Sequence, residues 1–281
     1  MLRILDRTPD FLIIGAQKSG TSALHSYLSQ HPQIKGSRRK EIGFFHQDKR
    51  YVRGPRWYAK QLPLRFREGT LLFEADPEYL YHPCAAERIF RFKPAMRLII
   101  LVRNPVERAF SAWNMLKQFH DQGRDSVAGI IREYVNDANP EAKYPALDLL
   151  NSAVFPDFHD CVLREIKLHL TDGHQAGVEP SFVRRGLYAA QVKRVFERFP
   201  RENVLVLEDK DLKSQRVETL NRVTRFLNVA EFDWNRADLK DEHARSYGQK
   251  MKEETRRILL EFFTPHNHQF YSLMDRQFNW Q

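Results

Sequence analysis

The chain has 281 residues, of which 42% are hydrophobic, which is enough for one large α/β domain or for two small ones with a shared core and argues against intrinsic disorder. A formal net charge of +9 favours an anionic partner, such as a nucleotide, an acidic glycan, a nucleic acid or a lipid headgroup. Two cysteines, Cys84 and Cys161, exclude a disulfide framework. We expect free thiols, with a single bridge between them as the alternative.

Four short apolar runs predict buried strands of a mainly parallel sheet. They are residues 11–15 (FLIIG), 71–75 (LLFEA), 97–102 (RLIILV) and 203–208 (NVLVLE). Helix-like stretches separate them, so we predict an α/β fold, with P-loop-like three-layer architecture and helices flanking the central sheet.

Helices are predicted directly after the first strand, after the sequence VRNP, and in the C-terminal third at 188–199, 217–227 and 252–263. Residues 120–160 predict an irregular, helix-containing insertion, which is either a lid or acceptor-binding region or an ordinary surface excursion. We expect one domain over 1–281.

The turn after the first strand has the spacing of a phosphate-binding loop. In GAQKSGTS the two glycines match the pattern G-x-x-x-x-G-K-[ST], but the lysine lies two places earlier than usual. Backbone N–H groups at a strand-to-helix turn favour a bound phosphate, as does the helix dipole. The predicted donor-binding residues here are Gly15, Gln17, Lys18, Ser19, Gly20, Thr21 and Ser22.

The strand at 97–102 is followed by Arg103, where a magnesium-dependent triphosphate site would have an aspartate. An arginine binds an anion directly, and Ser111, two turns into the next helix, offers a hydroxyl to the same anion. The alternative is a surface salt bridge for Arg103 and an ordinary helix position for Ser111.

GAQKSGTSAL together with LIILVRNPVERAFSAW resembles the paired motifs of sulfotransferases that use 3′-phosphoadenosine 5′-phosphosulfate (PAPS). The first motif serves the 5′-phosphosulfate and the second the 3′-phosphate. KEIGFF at 40–45, the segment 184–208 and the C-terminal LLEFFTPHNHQFYSLMDRQFNW resemble the heparan sulfate branch, including its N- and 3-O-sulfating members. The resemblance spans nearly the whole chain and is weakest over 120–160.

The resemblance implies metal-independent, in-line transfer of a sulfuryl group from PAPS to a hydroxyl or amine, with a saccharide as the first expectation and 3′,5′-adenosine bisphosphate (PAP) as product. Lys18 would stabilise the departing phosphate, a task that otherwise falls to a metal. Glu41, in KEIGFF, would be the general base. Arg185, Tyr188 and Arg245 would approach the nucleotide, although packing at a helix start is the alternative for Tyr188.

The chain departs from the branch at two motifs. FEADPEYLY has Ala75 where the branch has the lysine of E-K-[ST]-P-x-Y, which leaves acceptor choice open. We predict that Lys40, Glu74 and Asp76 contact the acceptor, with loop support as the alternative for Glu74. HARSY at 243–247 keeps only Arg245 of the charged pattern K-G-R-x-[HY].

Two other classes of function are compatible with parts of the sequence. A P-loop kinase or NTPase would use Mg-ATP, with Glu74 or Asp76 as the metal-holding carboxylate. A basic nucleic-acid-binding protein would use its positive charge, but no recognised reader motif supports it. We predict neither a metal nor a nucleic-acid partner.

The N-terminal sequence lacks an apolar segment of signal-peptide length, and no run approaches the roughly 20 apolar residues of a membrane span. No N-x-[ST] acceptor sequence occurs. We therefore expect a cytoplasmic protein, unless the chain is a trimmed luminal domain.

Overall fold

A computed structural model of the protein describes residues 7–65, 67–123, 152–172, 181–240 and 249–280. The chain forms two compact units. The first contains the described residues of Met1–Arg103 and Arg194–Arg245, and the second those of Asn104–Lys193 and Ser246–Gln281.

The first unit contains a five-stranded sheet in which every described pair of strands is parallel. The strand order is β2-β3-β1-β4-β5, so β1 is central. This confirms the four predicted strands and adds a short one, β2. The strands are β1 (Phe11–Gly15), β2 (Ile34–Gly36), β3 (Leu71–Ala75), β4 (Arg97–Val102) and β5 (Val204–Glu208).

Helices flank this sheet and also make up the second unit. They are α1 (Thr21–Leu28), α2 (Asp48–Tyr51), α3 (Gly54–Ala59), α4 (Glu78–Tyr81), α5 (Ala85–Phe92), α6 (Pro105–Asp121), α7 (Phe158–Asp172), α8 (Tyr188–Phe196), α9 (Asp209–Ser214), α10 (Arg216–Leu227) and α11 (Glu253–Met274).

The strands are predominantly apolar because most of their residues are buried. Every residue of β1 is buried, and so are the last five residues of β4. The rings of Phe11 and Phe73 stack with centroids 4.7 Å apart, and α1 and α10 contribute Leu24 and Leu220 to the same core. This packing of the strands against α1 and α10 holds the carboxyl ends of the strands in place.

The second unit is built around α6, which begins as the sequence predicts. Pro105 occupies the first turn, and the Asn104 side chain accepts a hydrogen bond from the Val106 N–H at 2.9 Å, capping the helix. Phe110 and Trp113 lie on one buried face and pack with Phe158 of α7.

Helix α11 is longer than predicted. It continues past Pro265 to Met274, where Asp275 adopts a left-handed φ of 49° and caps it. Phe263 and Phe270 are buried within this unit, so packing outweighs the cost of an internal proline.

Both cysteines are free, as predicted. Of the predicted insertion at 120–160, most lies outside the described residues. None of the described helices is long and apolar enough to cross a bilayer.

Candidate active site

The turn between β1 and α1 requires glycine at both ends. A Cβ on Gly15 would lie 2.6 Å from the Cβ of Leu80, a distance that real contacts do not reach. Gly20 caps α1 with a φ of 88°, which disfavours other residues. Gly15 is therefore required by the close approach of Leu80, and Gly20 by its left-handed backbone.

Lys18 and Glu41, the two predicted catalytic residues, both have left-handed backbones, with φ of 67° and 63°. Among the described residues two further non-glycine positions share this feature, Asn228 and Asp275, and both are helix C-caps, where it is common. Lys18 and Glu41 lie in loops instead. Such strain outside caps clusters at functional sites.

The hydroxyl of Ser19 indicates which ligand fits the turn. Its Oγ is buried and has no hydrogen-bond partner among the described residues. Buried hydroxyls are normally satisfied. Gln17 and Thr21 are also buried, and Ser22 is half-buried in the first turn of α1. A turn at a helix N-terminus that offers main-chain N–H groups and a hydroxyl as hydrogen-bond donors is suited to bind a phosphate or sulfate oxygen.

Arg103 reaches this turn from the neighbouring strand. Its Nη1 donates to the Lys18 carbonyl oxygen at 3.3 Å, and its Nε lies 3.6 Å from Asp209 Oδ2. Asp209 also pairs with Lys213 at 2.7 Å. Because β1 and β4 are adjacent and parallel, the segments that follow them meet at one sheet edge. Arg103 thus forms a salt bridge, which was the alternative interpretation, and also contacts the predicted donor loop.

Lys40 and Glu41 lie beside the same turn. Lys40 Nζ is 2.8 Å from Glu41 Oε1 and 3.4 Å from Thr21 Oγ1. The Glu41 side chain is 45% exposed, so it is open to a substrate. The structure brings together the predicted base and the predicted donor loop, and it pairs Lys40 with the base.

Glu74 and Asp76 occupy positions that differ from the prediction of acceptor contact. Both are 0% exposed and lie beneath the loop that follows Glu41. Glu74 Oε1 accepts the Ile42 N–H at 2.8 Å, and Asp76 Oδ2 accepts the Gly43 N–H at 2.9 Å. In this arrangement neither carboxylate offers surface to an acceptor, and the loop-support alternative fits Glu74.

Burial raises the pKa of Glu74 to about 7, against hydrogen bonds from Tyr58, Tyr79 and the Ile42 N–H that lower it. Burial also raises the pKa of Asp76, as do the nearby carboxylates, Glu74 foremost. A magnesium-holding carboxylate must be ionised and reach its metal. These two buried acids do not suit that role.

Three of the remaining predicted donor-binding residues lie in the second unit. Ser111 and Arg185 are each 2% exposed, on α6 and in the short 3-10 helix Arg184–Gly186. The Tyr188 ring packs against Phe270 and Trp280 with centroid distances of 5.6 Å, which fits the packing alternative. Arg245 lies outside the described residues.

Glu165 was not identified from the sequence. Its carboxylate accepts the N–H groups of Phe182 at 2.8 Å and of Val183 and Arg184 at 2.9 Å, together with the Ser181 hydroxyl. It therefore fixes the segment that carries Arg185. The partners are 16 to 19 positions away in sequence, and no local pattern marks such a pairing.

Comparison with known proteins decides the family, because the model of the Sulfotransferase domain matches residues 8–277. The chain belongs to the sulfotransferase family. It is 26% identical to a sulfotransferase from Alicyclobacillus acidocaldarius of known crystal structure, with a TM-score of 0.67 over 96% of this chain and 97% of that one. The α/β P-loop-like fold is confirmed.

This sulfotransferase is related to enzymes of the predicted branch. It is 24% identical to human heparan sulfate glucosamine 3-O-sulfotransferase 5, over 99% of the chain and 75% of that protein. It is 25% identical to human bifunctional heparan sulfate N-deacetylase/N-sulfotransferase 2, over 96% of the chain but only 30% of that protein.

A further relative corrects the predicted location. The sulfotransferase is 25% identical, over 97% of its length, to the membrane-associated sulfotransferase kil1 of Dictyostelium discoideum, and it spans 66% of that protein. The prediction of a cytoplasmic protein is wrong, because this relative is membrane-associated and the two human relatives are named as heparan sulfate enzymes.

The family match also disfavours the two other classes of function. A kinase or NTPase would have needed Glu74 or Asp76 for its metal, whereas both are buried beneath the loop. The positive charge that suggested nucleic-acid binding is consistent with an anionic nucleotide donor.

Proposed function

We propose that this sulfotransferase moves a sulfuryl group from PAPS to a hydroxyl or amine and releases PAP. The observation that carries the proposal is the junction of Thr21, Lys40 and Glu41, where the ammonium lies 3.4 Å from the donor-loop hydroxyl and 2.8 Å from the carboxylate. A site for the donor and a base for the acceptor are side by side.

Within this proposal the donor loop binds the 5′-phosphosulfate. The N–H groups at the start of α1, with the hydroxyls of Ser19, Thr21 and Ser22, hold its oxygens, and Gln17 lines the turn. Arg103 binds the 3′-phosphate by charge-assisted hydrogen bonds. The Lys18 ammonium stabilises the negative charge that develops on the 5′-phosphate as the leaving group departs.

The acceptor supplies the nucleophile. Its oxygen or nitrogen forms a bond to sulfur while the bond from sulfur to the phosphate oxygen breaks, and that electron pair goes to the phosphate. Glu41 takes the proton that the nucleophile loses. Its partly exposed carboxylate is accessible to such a group.

The other predicted donor contacts, Ser111, Arg185, Tyr188 and Arg245, stay part of the proposal. The family match to residues 8–277 supports the predicted single sulfotransferase domain, since it runs through both units. That no metal takes part is likewise a proposal.

We propose a saccharide as the acceptor. The names of several relatives specify heparan sulfate, and Lys35, Arg38 and Arg39, in the segment leading to Glu41, are exposed. Exposed cations in the segment that leads to the base would attract an acidic chain.

The decisive experiment is calorimetric titration with PAP in the presence and absence of EDTA. We expect binding that is unchanged by the chelator, and no comparable affinity for Mg-ATP. Transfer of radiolabelled sulfate from PAPS to fully desulfated heparin would then test the saccharide, with a simple phenol as the comparison acceptor. Failure of PAP to bind would reject the function, and sulfation of the phenol alone would reject the saccharide.

A further inference from the structure

The four main-chain N–H groups of residues 41–44 all donate to acceptors in the segment 74–79. The Glu41 N–H donates to the Ala75 carbonyl oxygen at 3.0 Å. The next two N–H groups donate to Glu74 and Asp76, and the Phe44 N–H donates to the Tyr79 hydroxyl at 3.0 Å. Four consecutive N–H groups thus have partners from one short segment.

We call the carboxylates of Glu74 and Asp76 the acid shelf. Both carboxylates have further partners: the Tyr58 and Tyr79 hydroxyls donate to Glu74, and the Glu78 N–H donates to Asp76 at 3.0 Å. Each oxygen of the acid shelf therefore accepts at least one hydrogen bond from the described residues.

Burying two acids is a poor way to stabilise a fold. A buried carboxylate loses its hydration, and apolar residues of similar volume often serve stability as well or better. The acid shelf does something that apolar residues do not, because it accepts the main-chain N–H groups that immediately follow Glu41. This points to a role in placing that loop.

We propose that Glu74 and Asp76 are positioning residues, which fix the backbone after Glu41 and so direct its carboxylate toward the acceptor. The inference rests on the proposed function, in which Glu41 is the base. Glu41 is held at its own N–H by Ala75 and directly afterwards by Glu74, so its left-handed backbone is restrained from both sides. The Glu41 side chain can then contact both Lys40 and the acceptor.

The hydrogen-bond pattern separates this role from acid–base chemistry by Glu74. In Glu74→Gln the amide oxygen still accepts the Ile42 N–H and the Tyr79 hydroxyl, while the amide N–H₂ donates to Tyr58, whose hydroxyl rotates to accept. The loop is therefore retained. In Glu74→Ala all three partners are lost. A residue that acted by transferring protons would fail in both variants.

Asp76 gives the opposite pattern. Its two oxygens accept main-chain N–H groups from Gly43 and Glu78, which cannot reverse their roles. In Asp76→Asn an amide N–H₂ group replaces one of the two oxygens, so a donor faces the N–H of Gly43 or of Glu78 and a hydrogen bond is lost. We expect the conservative variant to be harmful at Asp76 and tolerated at Glu74.

The test is hydrogen–deuterium exchange of the segment 41–45 in wild type, Glu74→Ala, Glu74→Gln and Asp76→Asn. We expect exchange at Ile42 or Gly43 to become about tenfold faster or more in the Ala and Asn variants and to stay near wild type in Glu74→Gln. Glu68→Ala, at an exposed position before β3, is the matched control and should change nothing. Should Glu74→Ala fail to fold, Tyr79→Phe replaces it, with faster exchange expected at Phe44.

Two further measurements accompany the exchange. Titration with PAP should give the same affinity in all variants, and kcat for any acceptor found should fall about 10- to 100-fold in Glu74→Ala and Asp76→Asn, with KM for PAPS unchanged. Unaltered exchange in both harmful variants, or equal loss in Glu74→Gln and Glu74→Ala, would overturn the inference. Absence of PAP binding by wild type would instead reject the proposed function and leave the exchange result standing.

Discussion

Arg103 Nη1 donates a hydrogen bond to the main-chain oxygen of Lys18 at 3.3 Å, although the two residues are 85 positions apart in sequence. The contact joins the end of β4 to the turn after β1. It places the cation proposed for the 3′-phosphate against the loop proposed for the phosphosulfate, and the guanidinium also pairs with Asp209 at 3.6 Å. The two proposed anion-binding groups are thus one connected feature.

Replacing Arg103 should therefore weaken donor binding chiefly. We expect Arg103→Ala to lower PAP affinity about 10- to 100-fold, since a charge-assisted contact and a support of the turn are both lost. Isothermal titration with PAP measures this. Arg236→Ala, whose side chain is 86% exposed, is the control. Equal affinity in Arg103→Ala and wild type would remove Arg103 from the donor site.

Replacing Lys18 should act mainly on the chemical step. We expect Lys18→Ala to reduce turnover about 100- to 1,000-fold, because charge on the departing phosphate is no longer stabilised, while PAP affinity changes less than about tenfold. Single-turnover transfer from PAPS separates the two effects. Lys240→Ala, at an exposed position, is the comparison. Near-normal turnover of Lys18→Ala would refute the assigned role.

The raised pKa of Glu74 predicts a stability effect with a definite sign. Between pH 4.5 and about 7 the folded state holds a proton at Glu74 that the unfolded state has released, so this group's contribution to stability falls as pH rises through that window. The penalty above pH 7 amounts to about 3 kcal/mol at most.

Glutamine does not ionise, so the variant Glu74→Gln avoids the cost of a buried charge at high pH. Its Tm should therefore exceed that of wild type at pH 8 but not at pH 4. Thermal unfolding followed by circular dichroism at the two pH values tests this, with Glu68→Gln as the exposed control. A Tm difference between Glu74→Gln and wild type that is the same at both pH values would contradict the raised pKa.

Removing the carboxylate of Glu165 should destabilise the protein. Glu165→Ala leaves the buried N–H groups of Phe182 and Val183 and the Ser181 hydroxyl without their acceptor, which lowers the expected Tm by about 5 °C or more. Glu218→Ala breaks an exposed pair with Arg225 and should have little effect. Equal Tm values for the two variants would show that the segment 181–184 has other support.

The sequence was sufficient for the parts of the fold that local chemistry determines. Predominantly apolar runs marked four strands, and Gly15 and Gly20 marked the turn because its geometry excludes other residues. Strand β2 was missed because it has only three residues, of which Ile34 alone is buried. The length of α11 was underestimated because its continuation past Pro265 depends on distant packing.

The sequence did not predict the roles of those site residues whose function depends on burial. Glu74 and Asp76 look like acceptor ligands in FEADPEYLY, yet the folded chain turns both inward. Nothing in the motif reports that Ile42 and Gly43, more than 30 positions away, will use those oxygens. The location was misjudged for a different reason, because the absence of apolar segments does not establish a compartment.

The central placement of β1 next to β4 has a consequence for substitutions. Main-chain pairing of β1 with β4 sets the offset between Lys18 and Arg103, and such pairing tolerates side-chain replacement, so we expect apolar substitutions within these strands to leave that offset unchanged. The main-chain N–H groups of residues 42–44 depend on the side chains of Glu74, Asp76 and Tyr79 instead, so we expect substitutions at those three positions to alter this loop while the offset between Lys18 and Arg103 stays constant.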